Sequence, residues 1–204
     1  MSDKPRLDSD ERTLFRLFTF IDSVYALGIV LIIFWLPLPE ESKSEGGIWL
    51  FSLFAEFSEN IIGVIIGVVF IVLYWLRSNQ LLNHLVRTNG PHVFFSVAQV
   101  FFILGLLYII RVGPEIEPAS ARAGESFMLI MTGLFGALGW RYASKNDLVC
   151  EDATKEQRDS AYMEAYTEPL TALVTLPFAF VGGLAWNLAF LAYFPIAAFL
   201  RKRR

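Results

Sequence analysis

The 204-residue chain has one cysteine and two histidines, and Asp, Glu, Lys and Arg make up only 18% of it. A lone Cys150 excludes an intrachain disulfide, and its surroundings (NDLVCEDATKEQRD) read as a polar loop, so a reduced structural thiol is expected. His84 and His92 stand eight apart, without a His-Glu-x-x-His pattern or a glycine-rich phosphate loop ahead of a helix. Both histidines are read as solvated side chains, and the chain is expected to be no enzyme and to hold no cofactor or resident metal. No basic stripe with interleaved aromatics is present, so no nucleic-acid partner is expected. Arginines do not recur at three-residue spacing, which leaves voltage sensing without its apparatus. The Thr-Val-Gly-Tyr-Gly carbonyl filter is also missing, so any cation selection must work by other means.

Apolar sequence is what the chain has in abundance. Hydrophobic residues are 55% of it and aromatics 15%, in long blocks rather than at amphipathic spacing, and the mean hydropathy is +0.50. This is the composition of an all-α, polytopic membrane protein. Residues 18–38 supply 21 positions, which as a helix rising about 1.5 Å per residue cross roughly 30 Å of hydrocarbon. No Ala-x-Ala cleavage site interrupts that segment, so it is expected to be retained. Six transmembrane helices in one domain over residues 1–204 follow, at roughly 18–38, 55–80, 92–111, 126–143, 162–181 and 184–200. The fifth must begin near Tyr162 to reach across, with Pro169 and Pro177 as possible kinks, and Gly182-Gly183 is the only break before the sixth.

Charge placement gives an orientation. With both termini cytoplasmic, 14 of the 17 Lys and Arg lie on the inner side, leaving Lys43, Arg111 and Arg122 outside. Glycines at 63 and 67, and at 133, 136 and 139, are read as sites of close helix approach.

The first span divides into faces. Phe20, Val24, Leu27, Leu31, Phe34 and Leu38 recur at alternating intervals of four and three, a continuous apolar stripe. Asp22 lies five residues from Leu27, about 140° round the helix, and so points away from the stripe. The stripe either faces lipid and packs another helix, or meets copies of itself around an axis to form a hydrophobic constriction. Asp22 is either a structural acid satisfied by Arg16 or by polar groups of the second span (Ser78, Asn79, Gln80), or a proton or cation site.

Arg16-x-x-x-Phe20-x-Asp22-Ser23-Val24-Tyr25-Ala26 resembles the Arg-x-x-x-Phe-Ser-Asp-Ala-Val-Phe-Ala signature that opens bacterial homologues of the lysosomal potassium channel. The run FIVLYWLRSNQLL, containing Trp75, is similar to the end of that family's second helix. The resemblance implies a homotetramer around four copies of the first helix, in the cell inner (plasma) membrane, passing monovalent cations and potassium in preference. It places the pore constriction at Leu27, Leu31 and Phe34, puts Ser23 and Val30 on further pore-facing turns, and gives Arg16, Phe20, Asp22 and Trp75 the task of holding the helix. Two departures stand out: Ile21 replaces a serine, and Ser78 and Asn79 replace the usual histidine after the tryptophan. The rival readings are a proton-coupled transporter using Asp22 and a non-conducting membrane scaffold.

Overall fold

The computed structural model describes residues 9–34, 58–150 and 155–202. Trp35 to Leu38, the acidic residues Glu40, Glu41 and Glu45, and Trp49 lie outside the described residues. The described elements are helical: α1 (Ser9–Ile33), α2 (Ser58–Leu82), α3 (Gly90–Val112), α4 (Pro118–Lys145), α5 (Lys155–Phe178), α6 (Gly183–Ala189) and α7 (Tyr193–Lys202). Short 3-10 turns at Gly113–Glu115 and Phe190–Ala192 join α3 to α4 and α6 to α7. The last span, Gly183–Lys202, thus follows one path through two helices and a tightened turn.

Among the described residues, four segments are long and apolar enough to cross a membrane by composition: Ser9–Ile32, Val64–Leu82, Gly90–Glu115 and Gly183–Lys202. Helices α4 and α5 carry more polar side chains, and they compensate by packing against protein. Leu129, Ala137, Trp140 and Ala143 of α4 and Ala161, Ala165 and Ala172 of α5 are all buried. Small residues bring these helices together, because without a solvent-driven hydrophobic force, membrane helices gain from close packing. A Cβ on Gly133 would stand 2.6 Å from Pro169 Cδ and 2.9 Å from its backbone nitrogen, and one on Gly136 would meet Gln99 of α3. Pro169 therefore sits inside α5 facing a groove that only glycine leaves open.

Several polar groups in this scaffold satisfy one another, the arrangement favoured where water is absent, while Thr132 Oγ1 of α4 is buried without a hydrogen bond. Trp186 Nε1 donates to Ser126 Oγ (2.9 Å), which also bonds Thr175 Oγ1 (3.0 Å), joining α6, α4 and α5. His92 overturns the expectation of a solvated loop histidine. It is buried on the first turn of α3, its Nδ1 2.8 Å from Thr88 Oγ1, because Asn89 caps the helix start and Pro91 fixes its first turn. His84 lies edge-on to Trp140. Val86 N donates to Leu148 O (3.0 Å) and Cys150 N to His84 O (2.8 Å), so the stretch beside Cys150 is pinned to the α2–α3 connection rather than forming a free polar loop.

The turn before α6 needs glycine. Gly182 has φ +153°, a conformation that side chains with a Cβ rarely adopt. That permits the close hairpin between α5 and the last span.

Candidate functional site

Helix α1 shows two unlike faces. Leu14, Leu17, Ile21, Tyr25 and Ile32 are buried, and Gly28 lets Ile71 of α2 approach against the α1 backbone. Half a turn away, Arg16, Thr19, Phe20, Ser23, Ala26, Leu27, Val30, Leu31 and Phe34 are exposed. At about 100° per residue, Ser23, Leu27, Val30 and Phe34 fall within roughly 60° of arc, and Leu31 lies on its flank. Exposure of 57% at Leu27, 50% at Val30, 49% at Leu31 and 77% at Phe34 leaves this face open among the described residues. Val24, counted in the stripe from its spacing, is half-buried and packs against the core, so the open face is rotated from the expected one toward Ser23 and Val30. Leu38 lies outside the described residues.

The open face changes character along its length. Its N-terminal part carries Arg16, Thr19 and Ser23, and its C-terminal part only hydrocarbon. Thr19 Oγ1 donates to Phe15 O (3.0 Å) and Ser23 Oγ to Thr19 O (2.7 Å). The hydroxyl hydrogens are thereby engaged by the helix backbone, and the oxygen lone pairs remain available to a cation or water.

Asp22 stands at the edge between the two faces, and Trp75 Nε1 of α2 donates to its Oδ1 at 2.8 Å. The structure thus brings together two of the four residues expected to hold the helix. A hydrogen bond to a charged group contributes about 1.5–3 kcal/mol. Neither a hydrogen bond nor an ion pair joins Arg16 to Asp22; Arg16 is exposed on the open face instead, and Phe20 is 47% exposed. Ser78 turns inward beside Tyr25, where Ile21 fills the core with a side chain only 1% exposed. A hydrocarbon side chain in the serine position removes a hydroxyl and the need to satisfy it.

A largely buried ion pair also joins two of the helices. Arg77 of α2 bonds Glu168 of α5, and both side chains are largely buried. The signal was present: once the fifth span must start near Tyr162 to be long enough, Glu168 falls inside it and requires a partner. The other carboxylate oxygen, Glu168 Oε1, is buried without a hydrogen bond, as is Tyr25 Oη. Outside the spans, Glu117 caps α4 by accepting from Ala119 N (2.8 Å) and Ser120 N (2.6 Å). These backbone donors hold its carboxyl below the usual glutamate value.

A motif-bearing helix with one packed and one vacant face is the setting in which sequence relationship decides. The family profile described as "Endosomal/lysosomal potassium channel TMEM175" matches residues 16–106. Over those residues the chain is similar to the TMEM175 family. The matched region holds the Arg16 to Ala26 motif, the whole described open face and Trp75. The fold is similar to that of a lysosomal potassium-selective channel TMEM175 homolog from Chamaesiphon minutus, with a TM-score of 0.70, 16% identity, and coverage of 94% of this chain and 98% of that one. No curated protein matches the chain. The TMEM175 fold and the apolar helices make this a multi-pass, all-helical membrane protein.

Proposed function

We propose that the chain is one subunit of a homotetrameric cation channel, with potassium as the preferred permeant ion and four copies of α1 around the conduction axis. The observation that carries this reading is the open face of α1, which runs from Arg16 to Phe34 and is exposed among the described residues. The match of residues 16–106 to a family model named for a potassium channel supports it, as does the likeness of the fold to a potassium-selective channel. The pore belongs to a multi-pass protein of the cell inner membrane with both termini cytoplasmic, the orientation that puts most Lys and Arg inside.

In this reading Leu27, Leu31 and Phe34 form the constriction, with Val30 between their turns. From Leu27 to Phe34 is seven residues, about 10 Å of pore lined by hydrocarbon. A constriction of that kind regulates passage by dewetting and by the cost of stripping an ion's hydration shell, which is lower for potassium than for the smaller, more tightly hydrated sodium. Ser23 and Thr19 offer lone pairs on the polar side of the barrier, where a cation regains its ligands. Asp22, held by Trp75, anchors the helix from the side and takes no part in carrying protons. Flux is passive, with no cofactor.

The test is cation flux into proteoliposomes containing the purified protein. Potential-driven potassium flux exceeding sodium flux is expected, and Leu27→Ala is expected to raise conductance or relax selectivity with little change in thermal stability, since more than half of Leu27 is exposed within the subunit. Flux that requires a proton gradient and vanishes in Asp22→Asn would favour the coupled carrier, and a tetramer that passes no cation would favour the scaffold.

A further inference from the structure

Helices α2, α3 and α4 close around a cavity of about 30 Å³. A single water needs about 10–15 Å³ of such space, so there is room for roughly two. Cavities lined by hydrocarbon stay dry, but this one has a polar side. Ser78 of α2 and His92, Ser96 and Gln99 of α3 border it, and Gly136 and Trp140 of α4 close it opposite. On α3 the three polar residues recur at intervals of four and three, so they share one face of the helix.

Their hydrogen bonds within the chain leave polar capacity over. His92 is 5% exposed, and its Nδ1 is engaged by Thr88 Oγ1 at 2.8 Å, which leaves the Nε2 of a buried ring to be satisfied. Ser96 Oγ donates to His92 O (3.1 Å) and keeps its lone pairs. Gln99 makes no hydrogen bond to another described residue, although its amide carries two donors and an acceptor. An amide at membrane depth needs partners, because lipid supplies none. Gly136 is what admits it: a Cβ there would stand 2.6 Å from Gln99 Nε2.

We propose that this cavity is an internal hydration site, in which ordered water bridges the Gln99 amide and His92 Nε2 of α3 to the Ser78 hydroxyl of α2. Water fits the site because it donates twice and accepts twice. It receives an N–H from the Gln99 amide, gives a hydrogen to Ser96 Oγ, and takes either role toward His92, whichever tautomer the Thr88 contact selects. A hydrocarbon tail in the same space would leave these groups unpaired. A bare cation would stay uncompensated, since no carboxylate borders the cavity. Ser78 stands about one turn along α2 from Trp75, so the bridge ties the helix that holds Asp22 to the α3–α4 frame. The site does not depend on the function proposed above.

X-ray hydroxyl-radical footprinting of the full chain in detergent micelles tests this, because radiation splits bound water in place and the radical oxidises the side chain beside it. Leu82 and Leu17 make a matched pair: both are 4% exposed, and Leu82 alone of the two borders the cavity. Oxidation of Leu82 several-fold above Leu17 is expected, with Trp140 oxidised alongside it although only 5% of it is exposed. Gln99→Met keeps the bulk of the side chain, removes the amide and is expected to bring Leu82 down toward the Leu17 level. Gly136→Ala is expected to do the same, since its methyl group pushes the flexible amide into the space the water holds. Equal oxidation of Leu82 and Leu17 in the unaltered chain overturns the proposal, as does an excess at Leu82 that both variants leave intact. The matched pair is read in the unaltered chain, so the test stands even where a variant fails to fold.

Discussion

The α3–α4–α5 bundle and the α1–α2 pair are built on opposite terms. In the bundle, glycines let backbones touch, and polar side chains bond one another: Gly133 against Pro169, Gly136 against Gln99, Ser126 with Thr175 and Trp186, Thr88 with His92. In the pair, the hydrogen bond from Trp75 to Asp22 and the fit of Ile71 against Gly28 hold a helix whose other face is exposed among the described residues. The bundle closes on itself, whereas one face of α1 is left exposed by the described residues and, in the proposed channel, meets other copies of the chain. That difference separates the part of the chain that provides a frame from the part where function is to be sought.

The comparison breaks most visibly in the frame. Gly133→Ala places a methyl group against the Pro169 ring and backbone, which cannot swing aside as a flexible side chain can. A loss of about 3 kcal/mol, the upper end of the overpacking range, is expected from thermal or denaturant unfolding in detergent. Trp75→Phe removes the indole donor to Asp22 and is expected to cost about 1.5 kcal/mol, the low end for a charged acceptor because Asp22 stays partly exposed. That loss is expected in assembly and stability, with the potassium preference retained in those channels that form. If Trp75→Phe instead altered selectivity in well-folded protein, the division between frame and pore would fail.

The smallest effect lies at the start of α4. Glu117 has its carboxyl held below the usual value by the Ala119 and Ser120 amides. Its contribution is therefore fully present above the ordinary glutamate range and is lost as pH falls through the lowered value. A small drop in melting temperature on acidification, absent in Glu117→Gln, is the expected outcome of melting curves taken down to pH 3, about one unit below the ordinary glutamate value.

Much of this was legible in the sequence because the bilayer imposes simple rules. Length and hydropathy marked the helices, and Gly182 marked the hairpin, since few other residues reach its φ. The Asp22 motif and Trp75 were readable as partners by resemblance, though spacing alone left Arg16 an equal candidate for the acid. Other features depended on rotation and neighbours that a single helix does not disclose. Val24 fits the four-three spacing of the stripe but turns toward the core, because the packed face centred on Ile21, Tyr25 and Ile32 is broad enough to include it. His92 looked solvated because its partner Thr88 lies in a loop whose fold is set by the cap at Asn89. The Arg77–Glu168 pair joins residues 91 apart in sequence, and no local pattern records such a pairing.

Thiol scanning of α1 in a Cys150→Ser background tests the central claim most directly, with single cysteines at Ser23, Leu27, Val30 and Phe34 on the open face and at Ile21, Tyr25 and Ile32 on the packed one. Charged methanethiosulfonate reagents are expected to block potassium flux through channels carrying any of the first four and to leave the last three unaffected. Block at the packed positions, or flux indifferent to modification at Leu27 and Val30, would contradict the assignment of this face to the pore.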